Sequence, residues 1–322
     1  MNLINFGDID DTIYKLKLRG LSFILSKFNF LARKRVESAF NQVDINFTNY
    51  WDIPEIKAHW NYLISGNPNC LYEDYVVSKV LSDKENLKML SIGCGGGHHE
   101  LRFAKYNNFS SILGIDLAPK LIEKANKMAN ENGYSNLKYE VHNFYDFKLE
   151  NQTFDVIHFY ANLHHLKPVN AVLEKVKIAL KKDGYLIIHE YVGADRFQFS
   201  KYQIKAVNEL LKSIPKNLRT KYLTNSIKRK IHIPGLIRMI LADPSEAVDS
   251  NSIRPMLQKR FSSIIEVELG GNILQLLFKD IAHHFVNPTN DGLHILKRTF
   301  EKEKEFIDTK KSDFIFGIYQ PK

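Results

Sequence analysis

Three groups of residues have types and spacing suited to chemistry. The first is Leu90-Ser91-Ile92-Gly93-Cys94-Gly95-Gly96-Gly97-His98-His99-Glu100, a β-rich run that breaks into glycines and then reads as a helix. Glycine reaches positive φ and lets the backbone approach a ligand with no Cβ in the way, so Gly93, Gly95 and Gly97 predict a loop that receives part of a cofactor. The spacing is Gly-x-Gly-x-Gly. A dinucleotide fingerprint places its third glycine one position later, where this chain has His98, and that argues against NAD. Tight strand-to-helix turns also use glycine for steric reasons alone.

The second group is Gly114-Ile115-Asp116, with Asp116 nineteen residues after Gly97. A carboxylate at the tip of the next strand can accept both ribose hydroxyls of an adenosine. Its competing role is N-cap of the helix that begins near Pro119. The third group is His164-His165, just past a fourth β-rich run, with Glu190 and Tyr191 at the end of a fifth. Neighbouring parallel strands would bring these ends together. A neutral imidazole, with an unperturbed pKa of about 6.5, can take a hydroxyl proton at physiological pH. His164 or His165 is therefore the candidate base, with Glu190 and Tyr191 orienting an acceptor. The competing role for one histidine is to order its loop through a backbone hydrogen bond. His98, His99, His164 and His165 are adjacent pairs rather than the i, i+4 arrangement of a helical zinc motif, so no metal site is expected.

The elements that must position these groups can be read from the same stretch. From Leu87 to about Tyr191, β-rich runs (Lys88 to Ile92, Ile112 to Asp116, Leu137 to His142, Phe154 to Tyr160, Tyr185 to Glu190) alternate with helical segments. That alternation predicts crossover units on a parallel sheet. The clearest helices are Pro119 to Asn132, with Pro early and Gly133 after its end, and Val169 to Leu180, closed by a turn at Lys182-Asp183-Gly184. Four regions follow: a helical N-terminal cap over 1–86, a core over 87–191, a helical insertion and late core helix over 192–260, and C-terminal strands with inserted helices over 261–322. Within them, a Lys-rich helix-compatible stretch runs to about Ala242, another helix opens at Asp243-Pro244-Ser245, and the last strands are Phe261 to Leu269 and Phe314 to Tyr319. The segments before Leu87 and from Val192 to about Ala242 are expected to close over the acceptor site as a lid.

Bulk composition narrows the classes. Hydrophobic residues at 44% and charged residues at 25% suit a globular chain rather than a disordered or membrane-spanning one. Two cysteines, Cys70 and Cys94, are too few for a disulfide framework, and Lys15, Lys17, Arg19 and Lys27 interrupt the place where a signal peptide would lie, so the cytoplasm is the expected location. The net charge of +9 fits an anionic partner or a general compositional bias. Basic residues gather over Lys15 to Arg35, where interleaved Leu, Phe and Ile suit an amphipathic helix with peripheral contact to an anionic membrane or to its own protein, and over Lys212 to Arg238.

Taken together, LSIGCGGG, GIDLAPKLIEKA, TFDVIHFYANLHHL and LKKDGYLIIHEY resemble the core of the class I S-adenosylmethionine-dependent methyltransferases, over Met89 to Glu190. The resemblance implies a Rossmann-like α/β fold, mostly parallel with one antiparallel strand in a seven-stranded sheet, and S-adenosyl-L-methionine as cofactor above the carboxyl ends of the strands. It places Gly93, Gly95 and Gly97 around the amino acid and ribose portions, Asp116 on the ribose, Leu117 over the adenine, and Asn143 with Phe144 at the adenine amino group. Tyr160 joins the cofactor set from the loop after the fourth strand, where reacting groups gather in this family. Ser91 departs from the Asp or Glu that many members carry in the first strand. Further segments resemble one bacterial-type subgroup: Tyr50-Trp51-Asp52-Ile53-Pro54, Arg196-Phe197-Gln198, Asp243-Pro244-Ser245-Glu246-Ala247 and Gly270-Gly271-Asn272.

The function expected is methyl transfer to a small or medium acceptor, with a sugar or carrier-linked sugar hydroxyl preferred. N- or C-methylation of a metabolite or nucleic acid, and cofactor binding without catalysis, are the alternatives. Nucleic acid is disfavoured by the lack of an Asn-Pro-Pro-Tyr type signature or an appended RNA-binding motif.

Overall fold

The computed structural model describes residues 3–19, 48–224 and 226–322, so most of the basic stretch from Lys15 to Arg35 lies outside the described residues. The chain opens with α1 (Phe6–Arg19), α2 (Pro54–Ser65) and α3 (Tyr72–Val80). An alternating series follows: β1 (Leu87–Ile92), α4 (His98–Ala104), β2 (Phe109–Asp116), α5 (Pro119–Glu131), β3 (Leu137–Val141), β4 (Phe154–Tyr160), α6 (Val169–Ala179) and β5 (Leu180–Tyr191). After it come α7 (Lys201–Ser213), α8 (Leu236–Ala242), α9 (Ile253–Arg260), β6 (Phe261–Gly270), α10 (Leu274–Phe278), α11 (Asn290–Asp308) and β7 (Phe314–Pro321).

The chain divides into two compact units. The first comprises Asn61–Val192, Asp249–Val267 and Ile315–Lys322. Its sheet has the order β3-β2-β1-β4-β5-β7-β6, with β1 pairing parallel to both β2 and β4, β3 to β2, and β5 to β4. With one antiparallel pair, this is the mixed, mostly parallel Rossmann-like sheet that was expected. Strand order reverses at β1, and such a switch point opens a crevice at the carboxyl ends of β1 and β4. A parallel strand covered on both faces needs a near-continuous apolar run, and β1 is buried at every position but Lys88. Helix α6 meets the sheet through Val169, Val172, Leu173 and Val176, the i, i+3, i+4, i+7 stripe of an amphipathic helix. Each such aliphatic contributes roughly 1.5–3 kcal/mol by leaving water.

The expected turn at Lys182-Asp183-Gly184 is instead part of β5. Phe154 pairs with Leu180 but Val156 pairs with Tyr185, so the extra residues are taken up as a bulge within the β4–β5 ladder. The helix expected to open at Asp243 begins at Ile253, because Asp243 closes α8: its N–H returns to Met239 O.

The second unit comprises Met1–Trp60, Gly193–Val248 and Glu268–Phe314. The single Lys-rich helical stretch expected to Ala242 is split into α7, a 3-10 turn over Lys216–Arg219, and α8. Pro215 and Pro234 lack the N–H that a continuous helix needs. Here the subgroup segments explain one another sterically. Arg196 donates from its guanidinium to the carbonyls of Pro244 (2.7 Å) and Glu246 (2.9 Å), clamping the Asp243-Pro244-Ser245-Glu246-Ala247 turn. Gly270 and Gly271 have φ of 75° and 82°, and a Cβ on them would lie 2.5 Å from Glu303 and 2.3 Å from Phe314. Asn272 accepts from Asp313 N and donates to Lys311 O, so Gly270-Gly271-Asn272 is a packing motif.

Candidate functional site

The three glycines expected to cradle a ligand do different work. At the end of β1 the N–H groups of Gly93 and Cys94 both return to Ile115 O, at 2.7 and 3.1 Å, which turns the chain over β2. A Cβ on Gly93 would lie 1.1 Å from Asn162 Nδ2, so this glycine makes room for the loop after β4. Gly97 has φ 78° at the start of α4, and a Cβ there would sit 2.6 Å from Tyr139 and 2.8 Å from Ala125. Tyr139 rises from β3 and donates to Gly97 O at 2.6 Å, fixing the loop from below. Gly95 is different: its φ is 52° and its missing Cβ would meet nothing within 4 Å. Gly95 is thus the glycine that faces open space.

Asp116 ends β2 beside it. Its Oδ2 accepts from Gly95 N (2.9 Å) and its Oδ1 from Ala118 N (2.8 Å), so one carboxylate ties the glycine loop to the start of α5. Burial pushes the Asp116 carboxyl up, and the N–H groups of Ala118 and Gly95 only partly offset that rise. Each oxygen retains a second lone pair for a further donor. The ribose and capping roles weighed for Asp116 are therefore compatible.

Ser91 proves to be half of a pair. Its hydroxyl donates to Glu100 Oε1, and His158 Nδ1 lies 3.0 Å from the same hydroxyl, with Tyr72 OH 3.1 Å from His158 Nε2. Glu100 is 1% exposed. Burial raises its carboxyl, but the bond and charge of His158, then His99 and the Ser91 hydroxyl, outweigh burial and hold it below the usual carboxylate range. Ser91 thus holds a buried carboxylate nine residues on, brought back to it by the first turn of α4. Two buried acceptors of this region, Glu100 Oε2 and Asn162 Oδ1, have no hydrogen-bond partner among the described residues.

Tyr160 ends β4 with its ring stacked on His99 at 3.7 Å between centroids, and His99 Nδ1 in turn lies 2.7 Å from the buried Glu73. Burial pushes His189, whose ring lies 4.8 Å from Tyr160, down to about 4, so it is neutral at physiological pH. The adenine-side residues divide. Leu117 is half-buried at the β2–α5 junction. The Asn143 amide serves its own turn, donating to Asp146 Oδ2 (3.0 Å) and accepting from Tyr145 N (3.1 Å). Phe144 points into the core, with Lys175 Nζ over its ring at 4.8 Å and bonded to its carbonyl.

The parallel pairing of β4 and β5 brings the third group together. Glu190, fully buried, accepts from Asn162 N (2.9 Å) and Leu163 N (2.7 Å) at Oε2 and from Tyr191 N (2.7 Å) at Oε1, which also shares a hydrogen bond with His164 Nδ1. One carboxylate thereby caps the turn over Leu163–His165 and orients an imidazole. His165 is half-buried, with its ring 4.3 Å from that of His164. Tyr191 is 1% exposed, with its ring edge-on to His164. Glu100, Tyr139, His158 and Asn162 were not singled out from sequence. The nearest signal was Glu100 itself, at the end of the glycine run.

A family model described as a methyltransferase domain matches residues 83–260. Over 37% of its length the chain is 34% identical to the ubiquinone biosynthesis O-methyltransferase of Actinobacillus pleuropneumoniae, covering 51% of that protein. Over 34% of its length it is 28% identical to the uncharacterized methyltransferase YcgJ of Bacillus subtilis, covering 42% of that protein. The chain therefore spans about half the length of the curated relatives it matches. The crystal structure of geranyl diphosphate C-methyltransferase from Streptomyces coelicolor, solved with Mg2+, geranyl diphosphate and S-adenosyl-L-homocysteine, covers 91% of this chain and 98% of its own with a TM-score of 0.53. At 10% identity that likeness shows the fold alone.

Proposed function

Because the chain belongs to the methyltransferase-domain family, we propose that it is an S-adenosylmethionine-dependent methyltransferase that methylates a hydroxyl of a small or medium acceptor. The observation that carries the choice of oxygen is the buried Glu190–His164 pair. A thiolate or a weakly basic aromatic amine carries a usable lone pair at physiological pH, whereas an alcohol needs its proton removed as the bond forms. Glu190, acting as acceptor, places the imidazole proton on Nδ1 and the lone pair on Nε2, the tautomer a general base requires. In this reading Glu190 orients His164 rather than the acceptor, and Tyr191 packs against the imidazole.

The residues present fit the cofactor. The open position at Gly95 admits a ligand close to the backbone, the remaining lone pairs of Asp116 suit the two ribose hydroxyls, and the unpartnered acceptors Glu100 Oε2 and Asn162 Oδ1 suit an ammonium group. Leu117 remains the candidate for the adenine face, Tyr160 the candidate wall near the amino acid portion. Bound S-adenosylmethionine supplies a methyl already activated by its sulfonium, so the protein's own part is alignment, exclusion of water and removal of one proton.

Two hydroxyl sets deserve comparison: sugars, free or carrier-linked, and ubiquinone precursors, the latter because ubiquinone biosynthesis O-methyltransferases are among the relatives. The test is release of S-adenosylhomocysteine with both sets and with matched amines. Turnover of a hydroxyl acceptor that His164→Ala abolishes supports the proposal. Turnover confined to amines or carbon acceptors, unaffected by His164→Ala, overturns it.

A further inference from the structure

We propose that the second unit carries a peripheral docking surface for anionic phospholipid bilayers, formed by α1 and the segment that ends in α8. Leu3 and Ile4, just before α1, and Ile9 and Ile13 on it are between 48 and 66% exposed, with Ile9 and Ile13 one helical turn apart. Ile237, Ile240 and Leu241 on the second are 40 to 49% exposed. The two segments adjoin. Ile237 N donates to Leu3 O, Gly235 N donates to Asp8 (2.8 Å), and Arg238 Nε meets the same carboxylate at 2.7 Å. Single exposed aliphatics are ordinary on a protein surface, whereas seven on two adjoining segments make a patch that calls for a partner.

Charge selects the partner. Residues 210–242 contain eight Lys and Arg and no Asp or Glu. Lys228 is buried on the carbonyls of Leu276, Leu277 and Lys279, and Arg238 is paired with Asp8 and Asp11. Lys212, Lys216, Arg229 and Lys230 are exposed. A nucleic acid would use these cations and leave the aliphatics wet. A second copy would cover the aliphatics but set two cationic segments face to face. An anionic bilayer satisfies both, taking branched side chains into the headgroup–acyl boundary while its phosphates meet the cations. Among the described residues no helix is long and apolar enough to cross a membrane, so the contact is peripheral.

The test is co-sedimentation of the full chain with vesicles of phosphatidylcholine alone and of phosphatidylcholine mixed with phosphatidylglycerol. Binding should require phosphatidylglycerol and weaken as salt screens the cations. The pair Arg229→Glu/Lys230→Glu and the pair Ile13→Glu/Ile240→Glu should each lower vesicle affinity about tenfold or more, with melting temperature unchanged because all four side chains are exposed. If the aliphatic pair destabilises the fold, Ile240→Trp replaces it, and its fluorescence should shift to the blue on anionic vesicles. Three results overturn the proposal: equal binding to both vesicle types or to neither, charge-pair loss with no effect at the aliphatic positions, or a concentration-dependent dimer that the aliphatic pair dissolves.

Discussion

Asp116→Asn is the sharpest test of the cofactor site, because the structure gives that carboxylate two jobs. Its oxygens hold Gly95 N at 2.9 Å and Ala118 N at 2.8 Å, leaving one lone-pair site on each for the paired ribose hydroxyls. Asparagine keeps one oxygen and turns an NH2 toward either a backbone N–H or a hydroxyl. At least one hydrogen bond to a charged group is lost, a cost of about 1.5–3 kcal/mol. S-adenosylhomocysteine affinity should therefore fall roughly 10- to 100-fold by calorimetry. Affinity alone does not separate ribose recognition from a loosened Gly95 loop. A cycle does: wild type and Asp116→Asn, each titrated with S-adenosylhomocysteine and with its 2′-deoxy analogue. If Asp116 meets the ribose, the wild type loses far more on deoxygenation than the variant, with a coupling of about 0.5–3 kcal/mol. Since burial raises this carboxyl, wild-type affinity should also decline on acidification at a higher pH than an exposed aspartate would allow, and the variant should lack that limb. Equal losses in both proteins would refute the ribose assignment and leave Asp116 as a loop tie.

Three further outcomes follow from particular contacts. Gly95→Ala has room for its Cβ and should cost only about 1 kcal/mol of stability while weakening cofactor binding, whereas Gly97→Ala, which meets Tyr139 and Ala125, should lower melting temperature more; equal profiles would remove the distinction between an open and a packed glycine. Glu190→Gln keeps the shape but presents an NH2 that would place the proton on the wrong nitrogen of His164, so single-turnover rate should fall roughly 10²- to 10⁴-fold with cofactor affinity nearly intact; a rate within a few-fold of wild type would make the pair purely structural. Burial raises Glu303 to about 8 and Asp313 to about 7, so the folded state binds protons that the unfolded state has released. Their contribution is fully present below about pH 4 and is lost as pH rises through 7 to 8. Glu303→Gln imitates the protonated acid, and its melting temperature relative to wild type should improve steadily from pH 5 to 8; a constant difference would show that Glu303 does not titrate in this window.

The parts of this protein that depend on near neighbours in the chain were legible without the fold. Alternating β-rich and helical runs predicted β1 through β5, because apolar periodicity and glycine punctuation act over a few residues. The glycine run and Asp116 stand out in the sequence for the same reason. Where several local signals compete, packing decided. Lys182-Asp183-Gly184 looks like a turn, yet pairing with β4 absorbs it as a bulge. The stretch to Ala242 looks like one helix, yet it splits around Pro215 and Pro234.

What the residues do depended on contacts that no spacing predicts. Ser91 looked like a missing charge until α4 returned Glu100 to it. Glu190 looked like a residue that handles an acceptor, but the β4–β5 pairing turns it inward onto the backbone and imidazole of a loop 26 residues earlier. Asn143 and Phe144 occupy the expected positions, while their side chains serve a turn and the core. A side chain's direction is set by the volume its neighbours leave, and those neighbours come from distant strands. Residue types therefore determined which cofactor chemistry this chain is built for, and only the packed sheet decided which of the three glycines faces open space and which buried acid meets His164.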